Sequence, residues 1–511
     1  IYLEELQLPI KSLFIGLVLI TLGSFLGNPY INEILKLDFP LLLTIKDILL
    51  FAGGLVIKVF PYMVFIKLLY TRTKERNIVV VGIISYLIYL IMILFLTTNS
   101  LPDAAYASYL NFTIGDDTLR LMNTGYFGLL GIYIIVRRTY HVPLNARNAN
   151  FTKVLDRDTI RLLRSLIYAT LFGIAMAIGF PYVIEYMYRL MSFIAADFSN
   201  PMSLFAYSGF ERLAMLVGLE DIVRQEMWFT SMGGTWNSLE SITYVGDVNI
   251  WAAQLADSAT VIGVGSAGRF TSMYYVVNLF AAPAYLFAMS KTVTDPKKRN
   301  KAYFTVILGS ILSITTGIIY PLEIIMVLTA PIIYLFHLFM VGFISAVLLG
   351  LSITIGFSYL GILSAAIPGN IIDLISIFRK NIITQELITM LLFGVIVFII
   401  YYYVIRFYYK NVAIDILNIG IKDDEVTDFI ERVGGLDNIE SFSSLPTKVI
   451  VKLKDEDDIN TEGLHYQGVT KIIHTREGFT LSYGAGSYIL QNEVNKRLKM
   501  HHQLKEDEDG Q

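Results

Sequence analysis

The sequence predicts an all-α polytopic membrane protein that carries a small α+β domain at its C-terminal end. Three observations predict it. Only 16% of the 511 residues are Asp, Glu, Lys or Arg, against about 25% in an ordinary soluble domain, and mean hydropathy is +0.58. Apolar windows near the ~20 residues that a hydrocarbon core demands recur as far as residue 411. Beyond about residue 412 charged residues become frequent, as in Lys422–Val433, KDDEVTDFIERV.

The apolar windows lie near 9–27, 47–70, 78–97, 122–137, 162–186, 271–290, 303–319, 322–352 and 385–407. Segments 187–218 and 353–378 read as amphipathic, re-entrant or additional spans, which makes about eight to ten crossings or re-entrant helices. Cationic loops stay on the cytoplasmic side, and two loops are rich in them: Arg72, Lys74 and Arg76, then Arg137, Arg138, Arg147, Lys153, Arg157, Arg161 and Arg164. Between them, segment 98–124 sets Asp103, Asp116 and Asp117 against Arg120 alone and reads as external. Lys297, Lys298, Arg299 and Lys301 mark another cytoplasmic turn, and Arg406 and Lys410 place the C-terminal domain inside.

In that domain Asp423–Val433 reads as an amphipathic helix with Val426, Phe429, Ile430 and Val433 on one face, stopped by Gly434-Gly435. Lys448–Lys454, Val469–Ile473 and Phe479–Tyr483 read as strands, and Tyr488–Leu498 as a helix. The expected layout is a membrane domain over 1–411, a linker at 412–417, the α+β domain over 418–498 and a disordered tail at 499–511. Residue 1 is Ile rather than Met, so the start reads as missing and a leader cannot be judged.

Composition also excludes chemistry. Lys+Arg 40 against Asp+Glu 43 gives a net charge of −3 and no broad basic field for nucleic acid. With no Cys there are no disulfides, no Cys-ligated zinc and no thiol nucleophile. The six His show no metal-ligand spacing, so no metal or cofactor is expected; His337, inside a span, reads as a packed side chain. Gly263-Val-Gly-Ser-Ala-Gly268 matches G-x-G-x-x-G but lacks the strand-turn-helix context of a dinucleotide site, and reads as a loop.

Polar groups in apolar surroundings are costly and tend to line a cavity. Segment 207–236 offers Glu211, Arg212 and Glu220; as one helix it would set them two or three turns apart, where one polar ligand could touch Arg212 and Glu220. A structural Glu211–Arg212 pair with Glu220 and Asp221 at a wet helix end accounts for the same residues. A second cluster is Thr316-Gly-Ile-Ile-Tyr320-Pro-Leu-Glu323, where Gly and Pro interrupt an apolar run as in the broken helices of transporters; a capped proline kink is the alternative.

Gly209-Phe-Glu-Arg-Leu-Ala-Met-Leu-Val-Gly-Leu219 resembles the G-F-x-E-R-L-L-x-P-x-G-L-H-H of the glucose-superfamily enzyme IIC permeases of the bacterial phosphotransferase system. Thr316–Glu323 resembles their T-G-I-T-E-P-I-E, and Ala330-Pro331 with Tyr334–Gly342 continues the likeness. It recurs at Ala267-Gly-Arg-Phe270, Ala281-Ala-Pro-Ala284 and Asp295-Pro-Lys-Lys-Arg-Asn300. Gly434-Gly-Leu-Asp-Asn-Ile439 resembles the G-G-x-x-N-I ahead of the phosphorylated Cys of enzyme IIB. The resemblance implies a homodimeric elevator-type sugar carrier of the bacterial cytoplasmic membrane, with Arg212 at the sugar. It also implies release of phosphorylated sugar through a fused IIB domain.

The chain departs from that pattern where the chemistry is done. The two His after G-L are Glu220 and Asp221, the Glu of T-E-P is Tyr320, and the phosphocysteine position is Leu445. An alkyl side chain cannot accept a phosphoryl group. The expectation is therefore a divergent sugar or polar-solute carrier with no catalytic residue, whose substrate side chains are Arg212, Glu211, Glu220, Tyr320, Glu323 and Thr316. Two other outcomes stay open: a membrane sensor with a cytosolic partner docked on the IIB-like domain, and a phosphotransferase served by a separate IIB.

Overall fold

The computed structural model describes residues 7–27, 40–73, 75–97, 101–114, 117–141, 156–197, 199–238, 241–256, 267–291, 296–357, 369–378, 384–412, 423–445, 448–467, 469, 471–475, 478–483 and 487–509. The linker at 412–417 lies almost wholly outside them, as do residues 263–266 of the glycine motif. Seven described helices are long and apolar enough to cross a membrane: Leu8–Gly27, Leu41–Thr71, Asn77–Leu96, Arg157–Ala195, Ser272–Ser290, Pro331–Gly350 and Gln385–Tyr409; the apolar part of an eighth, Ala302–Thr316, is shorter. The chain is a multi-pass, mostly helical membrane protein with a small C-terminal sheet domain.

The described chain divides into two compact units, Leu8–Tyr274 with Leu335–Ile388 and Tyr275–Tyr334 with Thr389–Gln511. In the first, α1 (Gln7–Gly27), α2 (Pro40–Thr73) and α3 (Asn77–Leu96) are followed by a hairpin of β1 (Tyr106–Ile114) and β2 (Asp117–Met122), then α4 (Phe127–His141) and α5 (Arg157–Ala195). The window at 122–137 is thus a 15-residue helix preceded by a strand. The acidic segment expected to be external has β-branched and aromatic residues that pair as a ribbon. Helix α5, at 39 residues, is about twice the ~30 Å hydrocarbon thickness and absorbs the start of the segment expected at 187–218.

Close approach of α3, α4 and α5 is set by small residues, as is usual where lipid supplies no hydrophobic drive between helices. A Cβ on Gly128 would lie 2.6 Å from the Tyr89 ring, one on Gly131 2.3 Å from Phe172 and one on Gly173 2.6 Å from Met92. Tyr89 stacks on Phe172 at 5.3 Å and donates its hydroxyl to Thr124 Oγ1 at 2.9 Å, which satisfies its one polar atom.

Next come α6 (Pro201–Leu216), α7 (Glu220–Phe229), a two-stranded ribbon β3 (Thr235–Asn237) with β4 (Thr243–Val245), and α8 (Asp247–Ala256). The 207–236 segment is therefore not one helix. Gly218, at φ +75°, ends α6: its N–H bonds Met215 O at 3.1 Å and the Leu219 N–H bonds Ala214 O at 2.9 Å, the pairing of a Schellman stop.

In the second unit α9 (Ser272–Ser290, entered from the first unit) contains a π turn at Val277–Ala281, followed by α10 (Pro296–Thr316) and α11 (Tyr320–Thr329). Helix α12 (Pro331–Gly350) passes at Leu335 into the first unit, which also holds α13 (Ile371–Phe378), and α14 (Thr384–Val412) returns to the second unit at Thr389. The window at 322–352, expected as one span, is two helices. Pro331 has no N–H to give, and it excludes Ala330 from the helical region: Ala330 sits at φ −149°, ψ 70°.

The C-terminal domain has α15 (Asp423–Arg432), a four-stranded antiparallel sheet in the order β5 (Ile439–Leu445), β6 (Lys448–Leu453), β8 (Gly478–Ser482), β7 (Lys471–Thr475), with α16 (Thr461–Tyr466) and α17 (Ser487–Asp509). Val426, Phe429, Ile430 and Val433 are buried with Val449, Val451, Leu481, Leu490 and Val494 in one core, as the amphipathic face predicts. Phe429 meets Phe442 and Tyr483 edge-on, each at 5.8 Å. The Gly-Gly-x-x-Asn string is a turn: Asn438 Nδ2 donates to Val433 O (3.0 Å) and Asp455 O (2.9 Å), and a Cβ on Gly434 would lie 2.4 Å from that nitrogen.

Strand β5 and helix α16 are absent from the sequence expectation, because Ser441, Ser443 and Ser444 break the apolar alternation and α16 is six residues long. The tail expected to be disordered from 499 continues α17 to Asp509; Lys, Glu, Gln, Arg and Met are good helix formers whatever their charge. Truncating Phe429 to Ala should cost about 3–5 kcal/mol. It should also speed proteolysis within 423–509 of the full chain while leaving the membrane helices protected, which time-resolved digestion in detergent reads directly.

Candidate functional site

Helix α6 is entered through Asn200, whose side-chain oxygen accepts the Met202 N–H at 2.9 Å, with Pro201 in the first turn. Its buried face carries Tyr207, Ser208, Glu211, Arg212 and Met215. Ser208 shares a 2.8 Å hydrogen bond with Ser345 of α12, which fixes this face against α12. Both Glu211 and Arg212 are buried, at 0% and 2% exposure, and they do form the ion pair that the sequence allowed: Arg212 Nε lies 3.7 Å from Glu211 Oε2.

The stronger bonds to Glu211 come from residues outside the expected set. Arg224 on α7 donates from Nε to Glu211 Oε1 at 2.6 Å, and Tyr274 at the start of α9 donates its hydroxyl to the same oxygen at 2.6 Å. Arg224 NH2 reaches Tyr274 Oη at 3.1 Å, and the Arg212 guanidinium lies 4.6 Å from the centroid of the Tyr274 ring. A carboxylate, two guanidiniums and a phenol thus form one knot, in which hydrogen bonds to the ionised groups offset desolvation. Arg224 carried a faint signal in the sequence, one turn after Glu220 in EDIVRQE; Tyr274, inside an apolar run, carried none.

Tyr274 is held by a backbone clasp below it. The Gly268 N–H donates to Asp247 Oδ1 at 2.9 Å and Ser272 Oγ donates to Gly268 O at 2.7 Å. The Ile355 N–H donates to Ser272 Oγ at 2.7 Å, and Thr271 Oγ1 donates to Ile355 O at 3.1 Å. Gly268 is at φ +104°, and a Cβ there would stand 2.4 Å from Gly356 N, so the two strings of backbone pass closer than any other residue permits. Burial pushes Asp247 up to about 6, against the opposing pull of the Gly268 amide and of Arg269, whose Nε is 4.0 Å away.

Glu220 opens α7 and so does not share a helix with Glu211. Its Oε2 is buried without a hydrogen-bond partner, and burial reinforced by neighbouring Asp221 pushes the carboxyl up to about 8. Thr316, Tyr320 and Glu323 are all buried and belong to the other compact unit. There the chain breaks after Thr316, whose Oγ1 donates to Leu312 O (2.6 Å) and accepts the Ile318 N–H (3.0 Å). Gly317 turns at φ +71°, and its carbonyl accepts Asn278 Nδ2 at 2.9 Å from the π turn of α9. Tyr320-Pro321 then starts α11 with Glu323 in its first turn. His337 is buried in α12, and Leu445 stands half exposed at the end of β5, paired with Lys448.

Removing one member of the knot strands the others. Glu211→Ala and Arg224→Ala should each cost about 3–5 kcal/mol, seen as loss of thermal stability in detergent, whereas the double change should cost less than the sum of the two. Both Glu220 and Asp247 hold protons more tightly when folded than their ordinary values of 4.5 and 3.8, so their contribution to folding stability should be greatest in acid. It should fall as pH rises and level off above about 8. Glu220→Gln should flatten the upper part of that fall.

No family model matches the chain. It is similar to the "PTS system glucoside-specific EIICBA component" of Staphylococcus carnosus (strain TM300), with 23% identity over 403 residues, 78% of this chain. The chain spans 56% of that relative's length.

Proposed function

We propose that this chain is a divergent IIC-type permease of the phosphotransferase system that carries a sugar, of glucoside type, across the bacterial cytoplasmic membrane. It does not phosphorylate that sugar through its own C-terminal domain. The observation that carries this reading is the Glu211–Arg212–Arg224–Tyr274 knot, a costly set of buried charges kept inside a membrane protein. Sugar hydroxyls need donors and acceptors fixed in place, and a knot whose members hold one another supplies them without rearrangement. The interrupted helices at Gly218 and Gly317 fit it, since broken helices bring backbone polar groups to a carrier's substrate. The similarity to a glucoside-specific component points the same way.

On this reading Arg212, Glu211 and Glu220 contact the solute, residues 1–411 form an elevator-type carrier that works as a homodimer, and 418–498 is a cytoplasmic IIB-like domain. Leu445 sits half exposed at a strand end, the kind of place a phosphate carrier needs, but it has no atom that accepts phosphoryl. The domain around it keeps a complete core, which favours a second role as a docking module for a cytosolic protein.

The test is counterflow of radiolabelled methyl glucoside in proteoliposomes of the full chain without any phosphoryl donor. Exchange is expected, and Arg212→Ala should lower it at least tenfold. Absence of exchange, with a cytosolic protein retained by residues 418–498, would replace the carrier by the docking reading; exchange only in the presence of a separate phosphorylated IIB would replace it by group translocation.

A further inference from the structure

The knot leaves one acid outside it. Glu220 is the first residue of α7, and its Oε2 is buried with no hydrogen-bond partner. Its one cationic neighbour on the helix, Arg224, is committed: Nε to Glu211 at 2.6 Å and NH2 to Tyr274 at 3.1 Å. Asp221 adds negative charge beside it. The helix N-terminus, with no side-chain cap at Leu219, gives only partial compensation.

The elements packed on α7 offer nothing better. From α6 come Glu211 and Arg212, already paired. Asp103, in the turn Asp103–Ala105, is bound to Arg120 at 2.8 Å, and Glu185 of α5 to Arg189 at 2.6 Å. Tyr188 of α5 lies beside Glu226, nearly two turns further along α7, and Asp247 of α8 accepts the Gly268 amide. Its own backbone N–H and the pull of the committed Arg224 do not offset burial and the charge of Asp221, so the carboxylate takes up a proton instead.

We propose that Glu220 is the proton site of a proton-coupled carrier, loading and discharging a proton in step with the transported solute. The carboxylate binds H⁺ from the medium on one side of the membrane and returns it on the other, so one charge is neutralised while the site is closed. This supplies a driving force to a carrier whose C-terminal domain has no phosphate-accepting side chain at Leu445. The shift of Glu220 toward neutral pH, caused by its burial, suits a group that must both gain and lose a proton near there.

The sugar arm of the test rests on the carrier reading, and a sugar-free arm does not. With full-length protein in proteoliposomes whose interior is one pH unit more alkaline, methyl glucoside should accumulate toward about tenfold at one proton per sugar, and Glu220→Gln should not accumulate it. Exchange without accumulation in the unaltered protein, or accumulation by Glu220→Gln, overturns the proposal. If methyl glucoside is not exchanged at all, the glucoside reading fails, and infrared difference titration of the same vesicles without sugar decides. A protonated carboxyl band that titrates between about pH 7 and 9, vanishes in Glu220→Gln and moves in Glu220→Asp supports the proton site. A spectrum with no such band, or one that Glu220→Gln leaves unchanged, overturns it.

Discussion

A carboxylate at 0% exposure has to be answered by cations, and the interior of the first compact unit is arranged around that demand at Glu211. Arg212 comes from the same helix, Arg224 from the helix after the Gly218 stop, and Tyr274 from the start of α9. Three segments distant in sequence are thereby fixed to one oxygen pair. The stop at Gly218 is what makes this geometry: a continuous helix would carry Arg224 away from Glu211 along the axis, whereas the turn folds α7 back onto α6. The clasp between Gly268, Ser272 and Ile355 then sets the height at which Tyr274 enters. Local backbone chemistry, two glycines and a serine, determines where the charges meet.

The same logic operates in the second unit with a neutral pin. Asn278 stands in the π turn of α9, gives its amide to Gly317 O and accepts Ser313 Oγ on its own carbonyl at 2.8 Å, so the break between α10 and α11 is hydrogen-bonded rather than open. Interrupted helices in apolar surroundings survive only where freed backbone groups find partners, and here a side-chain amide and Thr316 supply them. Both units therefore spend polar side chains on keeping a helix broken, which is difficult to explain in a protein that only spans a membrane.

Hydrophobic patterning carried most of the architecture. The apolar windows located the membrane helices, and the 3.6-residue period of Val426, Phe429, Ile430 and Val433 located the buried face of α15. What patterning could not show was where apolar runs are cut. Ala330-Pro331 lies inside a continuous apolar stretch, and only the missing N–H of Pro331 reveals two helices in place of one. The site was half legible for a related reason. Charged residues in an apolar context announce Glu211, Arg212 and Glu220, but Tyr274 looks like any membrane aromatic until tertiary structure brings its hydroxyl to Glu211. Glu220 was legible as a residue yet misplaced as a partner, because its position depends on the sign of one glycine φ.

On the carrier reading the buried knot receives a sugar. A density map of the full chain in lipid nanodiscs, saturated with methyl glucoside, tests it most directly. A sugar-sized feature is expected within hydrogen-bonding distance of the Arg212 guanidinium, absent from the map of Arg212→Ala. A knot closed on itself at saturation, with the sugar bound elsewhere or nowhere, would contradict it.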